Sequence, residues 1–254
     1  MTTARTPNPR RGAATVEVRR AGERFHTLTS DTDTWHSFSF GDHYDPDNTG
    51  FGALTVHNED RVRRGGGYAE HRHRDAEIIT WVLSGALAHT DSTGRRGTVH
   101  RGQVQRLSAG SGVLHTERND GYAAGAAGAV DPVHFVQMWL RPDTAGGSPE
   151  YAQADVALDD LARAWVPVVA GGGRDAAVAV HSRASTLWVT TLRPGESRPL
   201  PEAERQHVFV AQGAVVVEET GELHVGDALR VVGGRGGGLT AVSDAELLLW
   251  ELAS

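Results

Sequence analysis

The sequence predicts an all-β protein made of two similar sandwich units. Its apolar residues come in short runs of strand length, and 31 glycines punctuate a chain of 254 residues. Turn clusters close most of these runs, which favours sheets over a helical bundle. A pattern of strand, glycine turn and second glycine turn also occurs twice.

Residues 1–12 are polar, carry Pro7, Pro9 and three arginines, and lack the apolar stretch of a secretory signal. They read as a mobile tail. Thr15-Val16-Glu17-Val18 and Ser37-Phe38-Ser39-Phe40 alternate as strands do, Asp45 to Gly50 is a turn cluster, and Leu54 to His57 is a further strand. Gly65-Gly66-Gly67 leads into a strand around His71. The apolar run Ile78 to Leu83 continues past Gly85 into Ala86 to Thr90, and Asp91-Ser92-Thr93-Gly94 makes a hairpin turn. A strand pair around Gly102 follows, and Gly110-Ser111-Gly112 bends the chain into Val113-Leu114-His115. Gly121 to Val130, rich in alanine and glycine, is expected to be a surface loop, and His134 to Leu140 a strand.

The composition changes at residues 143–150, the expected linker. It divides an N-terminal unit, 13–142, from a C-terminal unit, 151–254. In the latter Leu158 to Val166 suggests one short helix, and the remainder returns to strands ending at Leu247 to Trp250. The two units show the repeat: Gly85 is followed by Gly102, and Gly213 by Gly226.

A formal charge of −7 and the absence of a basic stripe argue against direct binding of nucleic acid. No apolar run approaches a membrane span, so a cytoplasmic location is expected. With no cysteine, any metal must sit among nitrogen and oxygen ligands.

Such a set exists. His71-Arg72-His73 and His115-Thr116-Glu117 are pairs at i and i+2, and on a strand each pair points to one face. Three imidazoles and a carboxylate can then converge on one divalent metal. Iron(II), nickel, manganese, cobalt and copper suit this set, whereas a purely structural zinc is not needed to fold a β scaffold of this size. Glu77 competes with Glu117 as the carboxylate, because an unbroken strand would place it on the face of His73. Pairing with His115 favours Glu117, which leaves Glu77 as a carboxylate supporting the ligands from behind or lining the pocket. In the second copy the matching positions are Pro199, Pro201, Leu239 and Ala241, so only the first unit is expected to bind metal. His134 is a candidate to line the pocket, His89 precedes the Asp91 turn and is expected to order it, and His26, His36, His43, His57, His100, His181 and His224 carry no spacing pattern.

The series Trp35-His36-Ser37-Phe38-Ser39-Phe40, His43-Tyr44-Asp45-Pro46, Asn58-Glu59-Asp60, Glu70-His71-Arg72-His73, His89-Thr90-Asp91-Ser92-Thr93-Gly94, Gly112-Val113-Leu114-His115-Thr116-Glu117 and Gln137-Met138-Trp139 resembles the pirin family of the cupin superfamily. Arg72, Tyr68 and Gln103 depart from its usual proline, phenylalanine and acidic residue. The resemblance implies a bicupin of two jelly-roll sandwiches. It implies one mononuclear metal, foremost Fe(II) with Ni, Mn, Co, Cu or Zn as alternatives, held by His71, His73, His115 and Glu117. Several pirins open the central ring of quercetin with O2 and release CO. The expected partners are therefore a small aromatic substrate and O2, with Glu117 as catalytic base and Val113 and Leu114 walling the pocket. Other pirins imply the alternative, a metal-dependent regulator that binds a partner protein.

Overall fold

In a computed structural model, the structure describes residues 14–120, 132–234 and 237–253. The expected tail and the expected loop from Gly121 to Val130 lie outside the described residues. The first unit comprises β1 (Thr15–Arg19), β2 (Phe25–Leu28), β3 (Thr32–His36), β4 (Leu54–Val62), β5 (Gly67–His73), β6 (Glu77–Ser84), β7 (Ala86–Asp91), β8 (Arg96–His100), β9 (Gln103–Ser108), β10 (Val113–Arg118) and β11 (Val133–Leu140). The second comprises β12 (Glu150–Asp155), α1 (Leu158–Leu161), β13 (Val166–Ala170), β14 (Val178–Ala179), β15 (Ser185–Leu192), β16 (Ser197–Pro199), β17 (Arg205–Gln212), β18 (Ala214–Val217), β19 (Gly221–His224), β20 (Ala228–Val232), β21 (Gly238–Ala241) and β22 (Ala245–Leu252).

Each unit packs a seven-stranded sheet on a four-stranded one. The first pair has orders β12-β9-β6-β11-β4-β3-β2 and β5-β10-β7-β8, and the second β1-β20-β17-β22-β15-β13-β14 and β16-β21-β18-β19. Most strands of the second unit stand eleven places after their counterparts, so the weak glycine repeat marks a full structural repeat. Its four turn glycines adopt nearly one conformation, with φ of 80° at Gly85, 84° at Gly102, 75° at Gly213 and 85° at Gly226. Only glycine enters that region without steric cost, which is why these positions stood out in the sequence.

The expected boundary at 143–150 is crossed in both directions. β12 pairs with β9 and β1 pairs with β20, so each unit places its opening strand at the edge of the other's sheet. Two local expectations also change. The helix expected over Leu158 to Val166 is a single turn, because Val166-Pro167-Val168-Val169 is β-branched and proline-interrupted and opens β13 instead. Ser37 to Phe40 alternates as a strand does but leaves the sheet. After Ser37 N donates to His57 O at 3.0 Å, the segment turns to its own loop, where Asn48 Nδ2 donates to Ser37 O at 3.0 Å, Ser39 N donates to Asn48 O at 2.8 Å and Phe40 N donates to His43 O at 2.9 Å.

The two seven-stranded sheets face each other across the largest apolar cluster, with Ile79, Trp81, Leu83, Met138 and Leu140 from the first and Leu187, Phe209, Leu248 and Trp250 from the second. Central strands are thus buried on both faces, which explains the continuous apolar run from Ile78 to Leu83. The two unit interiors differ. The second is filled by one apolar cluster that includes Val208, Val210, Val215, Leu223, Leu239 and Ala241. The first holds two smaller clusters, one around Val62, Val82, Leu87 and Phe135 and one around Ile78, Leu107 and Val113. Between them runs a polar row.

Candidate metal centre

The polar row follows from strand register. Gln105, Thr80, Gln137, Asn58 and His36 are successive partners across β9, β6, β11, β4 and β3, so all five project from one face, and all five are buried. Opposite this row, the four-stranded sheet presents the histidines. β5 and β10 pair so that His71 stands opposite His115 and His73 opposite Val113, with a bulge between His115 and Glu117. Alternation then sends Val113, His115 and Glu117 inward and Leu114 and Arg118 outward.

The three imidazoles converge. Ring centroids lie 4.4 Å apart for His71 and His115, 4.7 Å for His71 and His73, and 4.9 Å for His73 and His115. Candidate ligand atoms of His71, His73 and His115 all fall within 4.8 Å of one another, and those of His89, His115 and Glu117 form a second such set. His115 belongs to both, and Glu117 stands beside it rather than inside the first trio.

Hydrogen bonds prepare these groups for a cation. His71 Nδ1 lies 2.7 Å from Ala69 O and must carry the hydrogen there, which leaves Nε2 with its lone pair. Trp139 Nε1 donates to Gln137 Oε1 at 3.0 Å, which fixes the amide so that Gln137 Nε2 donates to Glu117 Oε2 at 2.8 Å. Behind His115, its Nδ1 lies 3.5 Å from His89 Nδ1, and His89 Nε2 lies 3.1 Å from Asp91 Oδ2. The Asp91 carboxylate takes the hydrogen of His89 Nε2, so His89 Nδ1 accepts and His115 Nδ1 donates. The His115 lone pair is thereby placed on Nε2. His73 Nε2, His115 Nε2 and Glu117 Oε1 are buried without a hydrogen-bond partner. Each such orphan costs about 1–3 kcal/mol, and His115, shared by the two sets, links orphans on either side of it that fit a divalent cation.

Charge agrees with this. Burial, and then the neighbouring imidazoles, hold His115 at about 3, and burial followed by His71 holds His73 at about 4, so both rings are neutral near pH 7. Burial pushes the Glu117 carboxyl up to about 7, against the Gln137 hydrogen bond that lowers it, while Asp60 adds repulsion. Asp60 is itself pushed by burial to about 6, although Thr34 and Tyr68 donate to it at 2.7 and 2.6 Å. His71, His73 and Glu117 open onto a cavity of about 730 Å³ walled also by Tyr68, Phe40 and Trp139.

Other expected site residues lie elsewhere. Val113 packs with Ile78, Leu107 and Ala109, and Leu114 is exposed on the outer face. His134 bonds Glu59 at 2.8 Å on the face of β11 away from Gln137. Glu77 is not behind the histidines. The strand breaks after His73, with Asp75 at φ 51°, and Glu77 opens a strand of the other sheet. Its carboxylate instead accepts from Ser108 Oγ at 2.9 Å and His181 N at 3.2 Å, joining the two units. Conversely, His89, Gln137 and Trp139 belong to the centre. The i, i+2 spacing of His89 and Asp91 repeats that of the ligand pairs and was the available sign.

The family model described as Pirin matches residues 15–140. "Putative quercetin 2,3-dioxygenase Rv0181c" of Mycobacterium tuberculosis is 48% identical over 94% of this chain and 96% of its own length. "Quercetin 2,3-dioxygenase" of Escherichia coli K12 is 32% identical over 93% of this chain and 98% of its own. The crystal structure of the bacterial pirin YhhW of Escherichia coli in complex with nickel(II) superposes with a TM-score of 0.82 at 32% identity, covering 94% of this chain and 99% of that one.

Proposed function

The chain belongs to the pirin family, and from that premise we propose that it is a metal-dependent dioxygenase that opens the central ring of a flavonol such as quercetin with O2 and releases CO. The observation that carries this is the pair of donor sets that share His115, one with His71 and His73 and one with Glu117 and His89, in which His73 Nε2, His115 Nε2 and Glu117 Oε1 are orphaned, with His71, His73 and Glu117 at the wall of an aromatic-lined cavity. His71, His73, His115 and Glu117 would hold one divalent ion. Iron(II) is our choice, and nickel, manganese, cobalt, copper and zinc suit the same donors. When bound, the ion supplies Lewis acidity and a template for the substrate oxygen.

The chain's own groups supply the rest. Once its Oε1 loosens from the ion, Glu117 takes the proton of the flavonol ring hydroxyl on that oxygen while Gln137 retains Oε2. Trp139, Phe40 and Tyr68 receive flat rings and exclude water. Protein loaded with iron(II), nickel or manganese should bleach the quercetin absorption band with matching O2 uptake, and His71→Ala should abolish both. Quercetin left intact by every loaded form contradicts this reading.

A further inference from the structure

The cavity continues past the histidines to a second polar cluster that the ring-opening step does not use. An aromatic wall joins the two. His73 meets Trp139 edge-on at 4.6 Å, Trp139 meets Phe40 at 5.6 Å, and Phe40 stacks on His36 at 5.0 Å. At the far end His36 Nδ1 lies 3.0 Å from Asn58 Oδ1, while Thr27 Oγ1 lies 2.9 Å from His36 Nε2 and 3.1 Å from His43 Nε2.

This chain of bonds has one direction. Burial lowers the His36 pKa, so the ring carries a single hydrogen. Because Asn58 Oδ1 can only accept, that hydrogen is on Nδ1 and Nε2 holds the lone pair. Thr27 then donates to His36 and accepts from His43 Nε2. His43 Nδ1 is left as an acceptor, and neither it nor the Asn58 amide nitrogen has a hydrogen-bond partner among the described residues. Both residues line the cavity.

We propose that this end of the cavity is a subsite for phenolic hydroxyls, with His43 Nδ1 accepting from, and the Asn58 amide donating to, a ring remote from the metal centre. The inference rests on the flavonol reading and narrows it to flavonols hydroxylated on the pendant ring. A site built to bond a hydroxyl discriminates against the analogue that lacks it, because its own polar groups are then left unpaired.

The test is anaerobic binding to nickel-loaded protein, followed by tryptophan quenching. It compares kaempferol, with one pendant-ring hydroxyl, with galangin, with none. The wild type should bind kaempferol about tenfold more tightly, equivalent to about 1.4 kcal/mol. In His43→Leu and in the isosteric Thr27→Val, checked for folding by circular dichroism, the ratio should fall to about one. A wild-type ratio near one, or a ratio preserved in either folded variant, overturns the subsite. Oxygen uptake is a separate arm. Its absence, with the hydroxyl preference intact and erased by the variants, removes the dioxygenase reading and leaves the subsite standing.

Discussion

His115 and His89 lie side by side on neighbouring strands, with Nδ1 atoms 3.5 Å apart, and Asp91 closes the row behind them. Asp91 is held by its own turn, where Thr93 N, Thr93 Oγ1 and Arg95 N all donate to Oδ1. A hairpin turn thus determines which nitrogen of His115 keeps its lone pair. Outer partners of this kind change metal affinity about 10–100-fold. Asp91→Asn and His89→Phe should each lower nickel affinity within that range, measured by chelator competition, while the far-ultraviolet circular dichroism stays native. Unchanged affinity in both would remove the tautomer argument.

Metal affinity should depend on pH through Glu117. In the metal-free chain its folded pKa, about 7, is above the ordinary 4.5, so the protonated form is favoured and its stabilisation is lost as pH rises between those values. A cation requires the carboxylate, so binding below about pH 7 releases a proton and affinity falls about tenfold per pH unit. His73 and His115, at about 4 and about 3, are neutral across that window and add no slope. Chelator competition from about pH 5 to 8 should show the slope in the wild type, and Glu117→Gln should bind more weakly with a shallower slope.

Between the units, His57 and His207 pack at 4.9 Å between centroids, and both are fully buried. Burial first, and then Arg24, hold His57 at about 3; burial and His57 hold His207 well below its ordinary 6.5. The unfolded chain therefore binds more protons below pH 6.5. The stability these rings contribute is complete above 6.5 and is lost as pH falls toward about 3, by up to about 1.4 kcal/mol per pH unit for each ring. Urea midpoints should fall from pH 7 to 5.5, and His57→Gln should flatten the slope. A slope unchanged in the variant would show that other groups govern acid unfolding.

The contrast between the two interiors gives a control. Counted from the turn glycines Gly226 and Gly102, Leu239 matches His115, and it is buried in a wholly apolar cluster. Leu239→Ala should cost about 2–5 kcal/mol of stability in urea unfolding and leave metal content at the wild-type level. A fall in bound metal in the folded variant would mean the units are coupled more tightly than their separate interiors imply.

The fold was legible because its cues are local. Turn glycines and period-two alternation marked the strands, and the i, i+2 pairs marked His71, His73, His115 and Glu117 as members of one face. What escaped were relations set by pairing between distant strands. Exchange of β1 and β12 leaves no mark in composition, because an edge strand reads the same in either sheet. Glu77 was misplaced by one turn residue, Asp75, that ends the alternation on which its expected face depended. Gln137, Asn58 and His36 are far apart in sequence and become one row only through register.

The central claim is that His71, His73, His115 and Glu117 hold one metal, and His115 is the member common to both ligand sets. The most direct test is the metal content of protein purified without added metal, wild type against His115→Ala, by elemental analysis. The account predicts about one divalent ion per chain in the wild type and near none in the folded variant. Equal metal in both would contradict it.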